Sequence, residues 1–345
     1  KKREKRDGDA LTLAKSVSSR SVHSIICSPP YFGLRDYGHE PTTWPDGTMS
    51  CLGQESTPEA YVQHIVDIFR ELRRVLHDEG TVWLNIGDSY FKGKKHHTLK
   101  SGDICLIPHR VALALQADGW IVRQDIVWNK RNPMPEGVTN RPTLAHEYIF
   151  MIAKKKGYYY DAWAIKEPWQ NNPHDIKRGL YGHKDYDGKS AEDAGASGAR
   201  FSEAKVAGDP RNGRNKRSVW TLARQSYSGA HFAVYPTWLI EPCVKAGTSE
   251  RGACPSCGNQ WRRIEKTNDW EPGCDCGEKP VPSLILDPFS GSATTGFVAL
   301  THGRDYLGFD TQPDYNAIGE ERLSTLVDEL KYKPPSLDGF FSGAV

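Results

Sequence analysis

Short apolar runs that alternate with amphipathic stretches predict an α/β protein with a Rossmann-like sheet. Two stretches carry this expectation. In the first half, Ser24-Ile25-Ile26-Cys27 stops at Ser28-Pro29-Pro30, a helical pattern occupies Pro58 to His77, and Thr81 to Ile86 reads as a buried strand stopped by Gly87-Asp88. In the second, a strand over Leu284 to Asp287 is followed by a helix over Thr294 to Thr301 and a strand from Asp305 to Phe309 that closes on Asp310. Such alternation builds a parallel sheet covered on both faces, with ligands at the carboxyl ends of its strands.

Each element has its local reasons. Thr57 is an N-cap, Pro58 fits a first helical turn, and apolar residues at 61, 65, 68, 69, 72, 75 and 76 give one buried face, with Gly80 beyond the end. Ile107 to Gln116 reads as helix and Trp120 to Trp128 as strand. His146 to Ala153 is a further strand, expected to form a hairpin with the segment around Tyr158 to Tyr160. From about Lys166 to Lys216 the periodicity dissolves into Gly, Asn, Asp, Ala and Lys, the composition of a segment expected to be mobile in part unless a ligand orders it. Regular structure resumes at Ser218-Val219-Trp220 and in a helix near Pro236 to Ala246. No internal repeat is seen.

Composition bounds the function. The 345 residues, 38% hydrophobic and 26% charged, are ordinary for a soluble protein with a substantial core. No stretch approaches the roughly 20 apolar residues that span a bilayer, and the opening KKREKRDGDA lacks the apolar run of a secretory signal, so no membrane partner and a soluble, intracellular protein are expected. The net charge of +2 identifies no nucleic-acid partner. Arg211, Arg214, Lys216 and Arg217 form a local basic cluster that suits either a phosphate-facing patch or a solvated loop, and Lys1, Lys2, Arg3, Lys5 and Arg6 read as a mobile basic terminus.

Two motifs carry chemistry. In Ser28-Pro29-Pro30-Tyr31, a side-chain oxygen and a carbonyl on a rigid Pro-Pro turn offer two fixed acceptors beside an aromatic ring. Methylating an exocyclic amino group needs such acceptors, because its lone pair is delocalised into the ring, and the aromatic can stack on a base that has left the duplex. In Asp287-Pro288-Phe289-Ser290-Gly291-Ser292-Ala293-Thr294-Thr295, small residues between a strand and a helix let backbone approach a ligand, and Asp310 at the next strand end is placed to take ribose hydroxyls.

Together, SPPY and DPFSGS resemble the amino-methyltransferases of restriction–modification systems, and the order of the two, SPPY first, resembles the permuted β-class arrangement. Gly8-Asp9-Ala10, Asn85-Ile86-Gly87-Asp88-Ser89-Tyr90 and His231-Phe232-Ala233-Val234-Tyr235-Pro236 match as well, while Ala293 stands where the family usually has glycine. The resemblance implies a Rossmann-like S-adenosylmethionine-dependent methyltransferase fold with circularly permuted motif order. It divides the chain into a catalytic half of the core (7–160), a target-recognition region (161–230) and a cofactor-binding half (231–330) that includes a zinc knuckle (248–280). It places Asp287, Pro288, Phe289, Ser290, Gly291, Ser292, Thr294 and Thr295 around the methionine part of S-adenosyl-L-methionine, Asp310 on the ribose and Asp9 and Ala10 near the adenine. His231, Phe232 and Pro236 lead into a helix that completes the pocket, and Ser28, Pro29, Pro30 and Tyr31 handle the target base. The implied partner is double-stranded DNA and the implied setting a bacterial, archaeal or phage-infected cytoplasm. A cognate restriction endonuclease and a homodimer fit the family, although no motif marks either.

Eight cysteines do not form a disulfide framework. Cys27, beside SPPY, reads as a buried strand thiol, not a nucleophile. Cys254, Cys257, Cys274 and Cys276 form two close pairs suited to a tetrahedral structural Zn(2+). His96-His97 reads as a solvated or DNA-proximal loop. Serine at the head of SPPY favours N4 of cytosine over N6 of adenine as the methyl acceptor. An RNA or protein-amide methyltransferase and a non-catalytic zinc-containing DNA-binding protein are the competing readings.

Overall fold

The computed structural model describes residues 2–331 apart from 37, 39, 94–95, 168–212, 225–234 and 266. Tertiary contacts divide the chain into two units, Lys1–Asp161 with Ser218–Val345, and Ala162–Arg217. The larger unit is built on an eight-stranded sheet. Its strands are β1 (Arg3–Asp7), β2 (Val22–Cys27), β5 (Leu76–Ile86), β6 (Ile121–Lys130), β7 (His146–Ala153), β8 (Val219–Leu222), β11 (Leu284–Asp287) and β12 (Asp305–Asp310), in the order β1-β12-β11-β2-β5-β7-β6-β8. Two small antiparallel pairs stand apart, β3 (Thr42–Thr43) with β4 (Met49–Ser50) and β9 (Arg262–Ile264) with β10 (Asp269–Glu271).

The expected all-parallel sheet is corrected at one strand. β7 lies between β5 and β6 and pairs antiparallel with both, while the remaining neighbours pair in parallel. The link 131–145 contains no crossover helix, so the chain re-enters the sheet at the edge where β6 left it and must run back. The expected hairpin with Tyr158–Tyr160 is not formed. That segment is no strand; the Tyr159 amide instead donates to the Glu79 carbonyl at 2.8 Å.

Alternation along the strands sorts the core into two layers. Ile25, Cys27, Val82, Leu84 and Ile86 join the cluster that contains Ile65, Phe69 and Leu72 of the helix Pro58–Val75. Helices Ala10–Lys15 and Ile107–Ala117 pack on that helix. The alternate residues Ile26, Trp83 and Ile285 are also buried but lie outside this cluster, and helix Thr237–Gly247 packs on β2, β5 and helix Thr294–Thr301. The Pro58 helix is two residues shorter than expected, because Leu76 is already extended (φ −66°, ψ 136°) and pairs with Val22, which puts His77 into β5. The basic start of the chain is not a mobile tail: Arg3, Lys5 and Arg6 lie in β1, in register with Tyr306, Gly308 and Phe309 of β12.

In the smaller unit, Trp163–Ile165 forms a 3-10 turn, and Glu167 and Arg214 exchange backbone hydrogen bonds of 2.9 Å. Arg214, Lys216 and Arg217 gather around the Glu167 carboxylate at 3.4, 3.8 and 3.1 Å. Arg211 and most of the region without periodicity lie outside the described residues. No helix among them is long and apolar enough to cross a membrane.

The helix Thr294–Thr301 begins from a strained position. Its N-cap, Ala293, is left-handed (φ 59°, ψ 40°) and fully buried, a conformation that costs an L-residue about 1–2 kcal/mol. Glycine at this position would relieve that strain and lose roughly 0.4–1 kcal/mol to its freer unfolded chain. Ala293→Gly is therefore expected to raise unfolding stability by roughly 0.5–1 kcal/mol in urea titration with an unchanged m-value; a destabilised variant would show that the buried methyl matters more than the strain.

Candidate active site

Because the other strands run in one direction and β7 in the opposite one, the carboxyl ends of β1, β2, β5, β6, β11 and β12 and the amino end of β7 meet at one edge of the sheet. A cavity of about 730 Å³ opens there. Among its lining residues are Asp9, Ala10, Ser28, Pro29, Pro30, Tyr31, Pro288, Phe289, Ser290, Gly291, Ser292, Thr294 and Asp310, so two motifs far apart in the chain share one space. Asp287 and Thr295 are fully buried behind this wall. Pro236 caps the helix Thr237–Gly247, and His231 and Phe232 lie outside the described residues.

The SPPY wall is held from beneath. The Tyr61 hydroxyl donates to the Pro30 carbonyl at 2.9 Å. Gly53 (φ 92°) brings its backbone against the turn; a β-carbon there would stand 3.1 Å from the Tyr31 carbonyl oxygen. The Ser28 hydroxyl donates to the Tyr31 hydroxyl at 3.2 Å, and Tyr31 donates in turn to Glu147 Oε2 at 2.7 Å. Asn85 Nδ2 donates to the same oxygen at 3.1 Å, and Lys130 pairs with Glu147 Oε1. Burial, and secondarily the Glu147 carboxylate, push the Tyr31 phenol well above its usual range, so it stays protonated. Glu147, Lys130 and Asn85 all line the cavity.

The opposite wall is organised by a buried carboxylate. Asp287 accepts from Thr295 Oγ1 at 2.7 Å, from the Tyr235 hydroxyl at 2.8 Å and from the Phe289 amide at 3.0 Å. The Thr295 and Tyr235 hydroxyl oxygens, both turned to Asp287, stand side by side. Burial raises the Asp287 pKa to about 6 in spite of these donors. Nearer the cavity, Asp310 accepts from the amides of Gly291 at 2.6 Å and Gln312 at 2.9 Å. Asp9 caps the first helix by accepting from the Thr12 amide at 2.9 Å. Cys27 is buried, with its thiol pushed well up by desolvation, a state unsuited to a nucleophile.

A family model described as a DNA methylase of the N6/N4 kind matches residues 22–321. The chain belongs to that family. The Type II methyltransferase M.XycI of Xanthomonas campestris pv. cyanopsidis is 34% identical over 337 residues, which cover 92% of this chain and 86% of the relative. M.SmaI of Serratia marcescens is 33% identical over 337 residues, with 92% and 89% covered. Among solved structures, the PvuII DNA methyltransferase, named as cytosine-N4-specific, aligns with a TM-score of 0.57 at 15% identity over 96% of this chain and 93% of its own. A putative DNA modification methylase of Thermus thermophilus, complexed with S-adenosyl-L-methionine, aligns at 0.51 with 21% identity over 95% and 96%. These two likenesses concern the fold, an α/β methyltransferase fold. The protein is thus an S-adenosyl-L-methionine-dependent DNA amino-methyltransferase of the Type II kind, and the RNA, protein-amide and non-catalytic readings fall away.

Away from this cavity, Cys254, Cys257, Cys274 and Cys276 bring their sulfurs within 4.8 Å of one another. The Cys257 carbonyl lies 3.1 Å from His77 Nε2, and Arg263 reaches Asp161 at 3.1 Å, so the cysteine-bearing segment is fastened to the core. The solvated reading of His96-His97 holds for His97 only. The His96 side chain is 3% exposed, takes the Leu99 amide on Nδ1 at 2.9 Å and faces Glu59 through Nε2 at 2.9 Å.

Glu147 has no role in the sequence, Tyr235 enters only within the His231–Pro236 stretch, and Lys5 only within the basic terminus. In the sequence, Trp128-Asn129-Lys130-Arg131-Asn132-Pro133 reads as a strand end that either touches DNA or only caps the strand. The signal for Glu147 is absent locally, since the residue reaches the cavity only because β7 is reversed.

The Asp287 carboxyl gives a test by pH. A raised folded-state pKa means the folded protein holds this proton more tightly than the unfolded chain, so the contribution is present below the unfolded value of 3.8 and lost as pH rises through about 6. A shift of that size corresponds to about 3 kcal/mol. The stability of wild type minus that of Asp287→Asn should therefore fall by about this amount between pH 4 and pH 7. A difference that stays flat with pH would contradict the burial of an ionisable carboxyl here.

Proposed function

We propose that the enzyme methylates N4 of a cytosine turned out of duplex DNA. Ser28 carries this reading, a neutral hydroxyl placed where related adenine enzymes more often have aspartate. Its partners supply what a hydroxyl lacks. Ser28 can accept from the amino group while donating to Tyr31, and Tyr31 donates to Glu147, so the chain of donors runs from the base towards a carboxylate. With the Pro30 carbonyl taken by Tyr61, the carbonyl of Pro29 is the acceptor the turn offers to the second amino proton. The two acceptors aim the nitrogen lone pair at the methyl donor, and the released proton passes through Ser28 and Tyr31 to Glu147 as the nitrogen–carbon bond forms.

The other wall fits S-adenosyl-L-methionine, which supplies a methyl group on a sulfonium. Ser292 Oγ is buried at the cavity wall with no hydrogen-bond partner among the described residues, a position that a polar ligand atom would satisfy. In this reading the backbone of Phe289 to Ser292, with Thr294, holds the methionine part, Asp310 the ribose and Asp9-Ala10 the adenine side. Asp287 and Thr295 act from behind by holding the turn and Tyr235. The four cysteines hold a structural zinc: four thiolates close a tetrahedral site with no position for water, so the metal serves stability and not chemistry.

Mass analysis of nucleosides from duplex DNA methylated by the enzyme tests the target. N4-methylcytosine is expected, and N6-methyladenine in its place would overturn the assignment. In the same assay, Tyr31→Phe and Glu147→Gln should each slow single-turnover methyl transfer roughly 100-fold or more, and the double variant should be little slower than either, since both break one chain. Additive losses would separate their roles. Chelation should lower the unfolding temperature and loosen the segment around Cys254 in hydrogen exchange while leaving the methylated base unchanged.

A further inference from the structure

We infer that Lys5 is a positioning residue for the cofactor site, its ammonium group tying the Gly291 turn to the first turn of the helix Pro313–Lys331 and thereby setting cofactor affinity. This rests on the reading that the DPFSGS wall holds the cofactor. Lys5 Nζ donates to the carbonyl of Gly291 at 2.8 Å and to the carbonyl of Tyr315 at 3.0 Å. The peptide groups of Gly291 are thus gripped from both sides, the amide by Asp310 Oδ2 at 2.6 Å and the carbonyl by Lys5. Gly291 itself is left-handed (φ 48°), so nothing in its own conformational preference fixes the turn. Gly291 and Tyr315 both line the cavity, and Lys5 does not. A β-carbon at Gly319, on the helix Pro313–Lys331, would collide with the lysine side chain, so that helix leaves the space the amine occupies.

The charged groups facing Lys5 are the carboxylates of Asp7 on its own strand, Asp287 on β11, Asp310 on β12 and Glu320 on the Pro313 helix. Their attraction only partly offsets desolvation, which lowers the amine to about 8. Lys5 is therefore charged at neutral pH and gives up its charge as pH rises through about 8. The two hydrogen bonds then lose their charge assistance and weaken.

Calorimetric binding of S-adenosyl-L-methionine to the whole protein, with methyl transfer assayed alongside, tests this. Lys5→Met should weaken cofactor binding roughly tenfold to a hundredfold, with kcat at saturating cofactor within about twofold, and Lys5→Arg should recover most of the affinity. Wild-type affinity should fall between pH 7 and pH 9 more steeply than that of Lys5→Met. The cofactor's own amino group titrates equally in both, so the difference belongs to Lys5. Wild-type affinity and pH dependence in Lys5→Met would overturn the inference. Should Lys5→Met fail to fold, a Lys5→Arg protein whose affinity holds steady where the wild type declines would still support it, and one that declines in parallel would refute it. Asp310→Ala separates the premise from the inference: normal affinity in that variant would mean the cofactor lies elsewhere, whatever Lys5 does.

Discussion

A carboxylate that never meets solvent sits at the base of the cavity. Asp287 closes β11, and its two oxygens receive a threonine hydroxyl, a tyrosine hydroxyl and a backbone amide. Leaving any of these donors unpaired in the interior would cost about 1–3 kcal/mol, so the turn that follows has little freedom to relax. Phe289 is pinned by its amide, Tyr235 by its hydroxyl, and the helix from Thr294 is joined to the strand end through Thr295. The interaction is held at a cost, since burial opposes the ionised form. The strained Ala293 and left-handed Gly291 persist because this scaffold leaves them no alternative.

The second determinant is topological. A sheet whose strands all ran one way would present only strand carboxyl ends at the cavity. Reversing β7 brings an amino end there as well, and with it Glu147, opposite Tyr31 and beside Lys130. The polar cluster beneath the SPPY turn is thus assembled from four strand ends, those of β2, β5, β6 and β7. Apart from Ser28 and Tyr31, which share one turn, its members lie far apart or on different strands.

That division explains what the sequence revealed. SPPY and DPFSGS could be read because turn chemistry is local: prolines stop a strand, and small residues open a helix. The helix Pro58–Val75 was equally clear from its cap and its stripe, although its end was not. Leu76 is as apolar as the helix before it, and only pairing with Val22 makes it strand. Lys5 looked like part of a charged tail because its value lies in carbonyls about 290 and 310 residues away. Glu147 was hidden in an apolar strand whose direction depends on a neighbour. The hairpin expected at Tyr158–Tyr160 failed for the same reason, since β7 had better partners on both sides.

The left-handed alanine at the head of the helix Thr294–Thr301 has a genetic reading too. Every alanine codon becomes a glycine codon by one base change at its second position, so relief of the strain lies a single mutation away. A protein near the margin of its stability would be under pressure to take that step. Alanine here leaves roughly 0.5–1 kcal/mol of stability ungained, as expected where selection removes only variants that fall below a threshold.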